Sequence, residues 1–168
     1  SDLEARIRGQ GGAWAVLATG NTDYGPFNAD VLVRTGTRLA VDIRSGRFAG
    51  MDVRGRVEQT ASGPFQGDVA FNGSGVAGRA ALSAQGKLQR ADIHATAANA
   101  KIPGQAGLTI GRALIDGNIV LADTPEIAGD VQVANLRQGK FVLKAARAKI
   151  AYAGGNGTAQ IFATGSTG

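Results

Sequence analysis

Apolar and polar residues alternate along much of this chain, and three stretches follow one template. Phe27-x-Ala29-Asp30-Val31-x-Val33, Phe65-x-Gly67-Asp68-Val69-x-Phe71 and Ile127-x-Gly129-Asp130-Val131-x-Val133 align on their aspartates. A two-residue period puts the apolar and small positions on one face of a strand and Asp with its polar neighbours on the other. A second element follows each copy: GRFAGMDV at 46–53, GKLQRADI at 86–93 and GKFVLKAA at 139–146, the last with Ala145 in place of the late Asp. The copies start 38 and then 62 residues apart. The period is irregular, and the pattern predicts a duplicated strand unit with copies at about 27–53, 65–93 and 127–150.

Further strands are expected at 3–8, 14–18, 38–44, 92–97, 108–115, 118–122, 149–153 and 158–163. Their separators carry turn chemistry: GNTDYGP at 20–26, Ser45-Gly46, ASGP at 61–64, Asn72-Gly73 and Gly154 to Gly157. Strand-sized segments at this spacing predict an all-β domain spanning 1–168. Residues 136–150 also fit an amphipathic helix, and the alignment with the other copies favours strand. Asp116-Gly117 either closes a hairpin or lies inside one long strand, and the second is preferred because Gly67 and Gly129 also sit in apolar rows. Glycine in such a row lets a sheet bend sharply. The sheet then either packs against another, as a sandwich or solenoid, or curves around a shallow hollow, and periodicity does not separate these.

Composition sharpens this picture. Hydrophobic residues make up 43%, but 26 of the 168 are glycine and only 9 are aromatic, which suits a turn-rich β protein. At this length one domain would ordinarily bury roughly 70% of its unfolded surface. There is no cysteine, hence no disulfide framework and no thiolate metal site. No run reaches the ~18 apolar residues of a membrane-spanning helix. The chain starts at SDLEAR and stops at ATGSTG directly after a strand-like pattern. We therefore read it as an excised piece, with any anchor or export signal outside it. The net charge is +5, and the basic residues crowd into two segments. Arg34, Arg38, Arg44, Arg47, Arg54 and Arg56 form one; Arg137, Lys140, Lys144, Arg147 and Lys149 form the other. Both anionic partners and plain solvation of sheet faces explain such a balance.

Catalytic constellations do not emerge. His94 is the single histidine, expected on the polar side of a strand, and no G-x-S-x-G elbow occurs. Asp30, Asp68 and Asp130 read as solvent-facing strand charges and cross-strand partners for arginine. GSGVAG at 73–78 matches G-x-G-x-x-G, yet Gly86 cuts off the following RAALSAQ before it could form the helix that receives a pyrophosphate. Asn72-Gly-Ser and Asn156-Gly-Thr are glycosylation patterns that a turn role explains. The 34–56 segment holds Phe48 as its lone aromatic, which argues against nucleic-acid stacking. No catalytic group, cofactor or metal is expected, and Trp14 reads as packing.

Units of the form L-x-A-D-I, F-x-G-D-V and G-x-I-x-L, rich in Gly, Ala and Arg, resemble the AsmA-like proteins of Gram-negative envelopes. The stretch DGNIVLADTPEIAGDVQV, with ARAKIAYAGGNGTAQI after it, is most similar to the YdbH and TamB branches. The resemblance spans most of 27–163. It implies a long curved β structure, anchored in the inner membrane by a part of the chain not present here and crossing the periplasm. It also implies a taco-like trough that shields phospholipid acyl chains, and a link to outer-membrane biogenesis with envelope proteins as partners. On that view Phe27, Ala29, Val31, Val33, Phe65, Gly67, Val69, Phe71, Ile127, Gly129, Val131 and Val133 line the trough. No side chain needs to react. The alternative is a structural or adhesive β-repeat acting by protein contact.

Overall fold

In a computed structural model, which describes residues 3–22, 25–48, 50–101 and 107–167, the chain forms twelve strands in one sheet. These are β1 (Leu3–Gln10), β2 (Ala13–Thr22), β3 (Gly25–Thr35), β4 (Leu39–Phe48), β5 (Met51–Gln59) and β6 (Phe65–Gly73). They continue as β7 (Val76–Gln85), β8 (Leu88–Lys101), β9 (Leu108–Leu121), β10 (Glu126–Gln138), β11 (Phe141–Ala153) and β12 (Asn156–Thr167). Every strand pairs antiparallel with its neighbours in sequence, from β1 at one edge to β12 at the other. The sheet is curved and does not close into a barrel, so the sandwich and solenoid alternatives give way to a single open layer.

Hairpin chemistry explains the meander. Gly11-Gly12, Ser74-Gly75 and Gly154-Gly155 all have positive φ at both central residues, as type I′ turns require. Gly86 and Gly139 open two further turns with positive φ, followed by Lys87 and Lys140. The recurring Gly-basic pair is thus the tip of a hairpin in two of the three copies. In the first it lies inside β4, and GRFAGMDV straddles the turn into β5. Ser45-Gly46 and Asn72-Gly73, expected as turns, lie within β4 and β6. The first marks a bulge, where Arg44 and Ser45 separate the ladder positions of Ile43 and Gly46. Asp23 and Tyr24 of the expected 20–26 turn lie outside the described residues. Residues 108–121 form one strand, and 136–150 is strand, turn and strand. GSGVAG is the Ser74-Gly75 hairpin and leads into β7, not into a helix.

The sheet is thin. Its accessible surface is 10893 Å², whereas a compact 17.0 kDa monomer exposes about 7,700 Å² by size scaling. Roughly 55% of the unfolded surface is buried rather than 70%. Among the described residues buried hydrophobics are few: Ala40, Ala95, Ala97, Ala100 and Val120, none of them large. An expectation based on length assumes a globule, and a single layer has no second layer packed on either of its faces.

Candidate apolar surface

Directly paired residues of an antiparallel ladder project to the same side. Followed strand to strand, the register gives the row Ile7, Val16, Val31, Ile43, Gly55, Val69, Ala80, Ile93, Gly117, Gly129, Ile150, Ala159. The row above it runs from Gly9 through Val33, Gly67 and Ile127 to Gly157. The row below runs from Ala5 through Ala29, Phe71 and Val131 to Ile161. Each row crosses all twelve strands and holds only aliphatic residues, aromatics and glycine. The anticipated lining residues Phe27, Val31, Val33, Phe65, Val69, Phe71, Ile127, Val131 and Val133 all fall on this face. β3 runs opposite to β6 and β10, so the shared motif matches by face and not by strand direction.

Three rows over twelve strands cover roughly 1,000 Å², given ~4.8 Å between strands and ~6.8 Å between same-face residues. That exceeds the ~300–600 Å² of the largest apolar patch on a typical monomer. Side chains there are mostly half-buried against one another, as the alternating exposure along β6 shows. Ile115, Ile127 and Ile150, on β9 to β11, are 36–41% exposed.

Three aromatics lie across glycines on the facing strand. The Trp14 ring fills the space a side chain on Gly9 would need. A Cβ on Gly78 would come 2.6 Å from Phe71 Cζ, and one on Gly157 3.1 Å from Tyr152 Cδ2. Such pairs cover the backbone where no side chain can.

An aligned irregularity keeps the face continuous. Asn99, Gly111, Asn135 and Lys144 occupy the same level of β8 to β11, and Asn99 and Asn135 have positive φ. β12 has no matching extra residue: Leu143 pairs with Gly165 and Ala145 with Thr164. One added residue in each of four strands reverses the alternation beyond it. Ala100, Ile110, Leu136 and Leu143 therefore rejoin the apolar side, and Ala100 is fully buried.

The opposite face is charged. Arg34 and Arg56 approach Asp42 at 2.8 and 3.5 Å, and Arg44 Nε donates to Asp30 at 3.0 Å. Asp42 Oδ2 accepts no hydrogen bond although Arg34 is near, so that contact is Coulombic in character. Arg147 donates to Asp130 at 2.8 Å, and Lys149 is 3.8 Å from the same carboxylate. The hydrogen bond from Arg147 is the main reason the Asp130 pKa is lowered, and Arg90 lowers that of Asp92 in the same way. His94 is exposed and meets Asp116 across the β8–β9 ladder. Asp68 faces Arg56 in the β5–β6 ladder. Among the described residues no group of three His, Asp or Glu could hold a metal ion, and no helix is long and apolar enough to cross a membrane.

Sequence reasoning assigned residues of three strands to this face and expected all the other strands but β7 without placing them on it. β7 escaped because GVAGRAALSAQ alternates between residues too small to register as a stripe. Comparison of the chain with family models, with curated proteins and with solved structures finds no match.

Proposed function

We propose that the apolar face shields acyl chains, so that this segment carries or conducts phospholipid without chemistry of its own. One observation carries the reading: unbroken apolar rows run from edge to edge of a sheet that no other described element covers. Hydrocarbon suits such a surface because each CH₂ removed from water contributes about 0.8 kcal/mol. Rows without a charged side chain offer little barrier to sliding along them. The similarity to AsmA-like envelope proteins supports the same conclusion. It would set the sheet in the periplasm, tethered to the inner membrane by a part of the chain not present here and contributing to outer-membrane biogenesis.

Displacement of a fluorescent fatty acid by phospholipid tests this. The unaltered protein should take up the probe. Val69→Glu and Val131→Glu should stay folded by circular dichroism, since the open face lets the carboxylate hydrate, and should lose binding at least tenfold. Uptake unchanged in both folded variants would defeat the proposal. A second reading, contact with other proteins through sheet edges, is favoured by β12. This edge strand of 12 residues has no charged side chain to discourage pairing.

A further inference from the structure

We infer that the end of the sheet bearing the β10–β11 turn is built to rest on an anionic bilayer surface. Charge is unevenly placed along the chain. All 13 Asp and Glu occur at or before Asp130, and five of the 18 Lys and Arg lie beyond it. Residues 1–130 are thus neutral as a whole, and the net +5 belongs to 131–168. Arg147 and Lys149 share Asp130. Arg137, Lys140 and Lys144, with Arg112 on the neighbouring strand, have no carboxylate within ion-pair distance among the described residues.

These four gather on three adjacent strands. Arg112 pairs with Ala134, which pairs with Ala145 beside Lys144; Arg137 is three residues further down β10, and Lys140 forms the turn. All four are exposed. Apolar groups stand among them: Phe141, next to Lys140, is 47% exposed, and Phe162, opposite Arg147 on the charged face, is 68% exposed. Arg112, Arg147, Leu114 and Phe162 border a hollow of about 1040 Å³ in the same corner. Unpaired cations near the turn, with one exposed aromatic beside Lys140 and another beside the Asp130-paired Arg147, match the charge of phosphate head groups and the mixed polarity of the interface beneath them. Stacking on nucleic acid fits less well, because only two aromatics serve the patch. The inference extends the acyl-chain reading by naming the end at which lipid reaches the sheet, and to that extent rests on it.

The test is co-sedimentation with phosphatidylcholine vesicles, with and without phosphatidylglycerol, at low and high salt. Binding should require phosphatidylglycerol and fall with salt. Replacing Arg137, Lys140 and Lys144 together by Gln should weaken it about a hundredfold, since each basic residue at an anionic surface is worth roughly fivefold. Lys140→Gln alone, at an exposed hairpin tip, should cost about fivefold and keeps the test usable if the triple variant misfolds. Replacing Arg34, Arg44 and Arg56 by Gln removes the same charge elsewhere and should change binding less than threefold. Equal losses from the two triples, equal binding to uncharged vesicles, or tighter capture of a single-stranded oligonucleotide by the same residues would overturn the inference. Val131→Glu should lose the fatty acid yet keep vesicle binding, so the two proposals can fail separately.

Discussion

The two basic segments look alike in the sequence and differ in the fold. Around β3 to β5, Arg34, Arg44, Arg47 and Arg56 each stand within 4 Å of Asp30, Asp42 or Asp52. Around β10 and β11, Arg147 and Lys149 divide one carboxylate and three further cations have none among the described residues. The first segment pairs four of its six arginines, Arg38 and Arg54 having no ion pair among the described residues. The second pairs two of its five cations and leaves the rest for something outside the chain. Register, not composition, makes the difference, because antiparallel pairing sets Asp42 beside two arginines while no acid follows Asp130.

The apolar face divides along the same line, and the largest expected effects test that. Gly67 and Gly129 hold the same place in the repeated motif. Gly67 has φ +137°, and a Cβ there would come 2.9 Å from Val57 Cα and closer still to the Arg56 carbonyl. Gly129 lacks a positive φ, and its nearest atom would be Asp116 O at 3.3 Å. Gly67→Ala should therefore cost about 2–3 kcal/mol and Gly129→Ala less than about 1, read from urea midpoints. Equal costs would mean that the two halves approach their neighbours equally closely. Phe71→Ala should come next, at about 2 kcal/mol, because it uncovers Gly78 in mid-sheet. Tyr152→Ala, beside edge strand β12, should cost about half as much.

The comparison also shows what could be read in advance. The stripes at 27–33, 65–71 and 127–133 were legible because Val, Ile and Phe alternate cleanly with polar residues. The slip at Gly111 was visible as the three-residue step from Ile110 to Ala113 in LTIGRALI, and it repeats from Val133 to Leu136 and from Leu143 to Ala146. Each looks like noise in one strand. Only pairing shows that the steps share a level, where they restore the apolar side instead of ending it. Ser45-Gly46 carried turn residues but sits in a bulge, since β3 and β5 pair with β4 on both sides of it. Openness was not legible, because periodicity assigns residues to a face and is silent about what covers it. Nor were the fates of the basic segments, which depend on side chains brought together by hairpin pairing across five to nineteen residues.

A smaller effect separates the charged regions directly. Arg44→Ala removes an exposed ion pair with Asp30 and should lower stability by a few tenths of a kcal/mol at low salt. Arg137→Ala removes a cation that repels Lys140 and Lys144, so it should be neutral or slightly stabilising. Thermal melts at two salt concentrations distinguish them, since both differences should shrink as salt rises. A comparable loss in both variants would show that Arg137 has an internal partner and weaken the contrast.

The smallest effect concerns Asp130, the carboxylate that Arg147 and Lys149 share. Arg147 holds Asp130 ionised to lower pH than a free aspartate. A group whose folded pKa lies below its unfolded value adds stability above the unfolded pKa of about 3.9, and that contribution disappears as pH falls through the folded pKa. Acid should therefore release Arg147 as well, adding one more unpaired cation to the β10–β11 corner. A carboxyl ¹³C titration should place the Asp130 midpoint below the ordinary aspartate value, and Arg147→Ala should move it upward, because the hydrogen bond is the leading cause and Lys149 the least. A midpoint unmoved by that substitution would assign the shift to Lys149 and leave Arg147 as free as its neighbours at every pH.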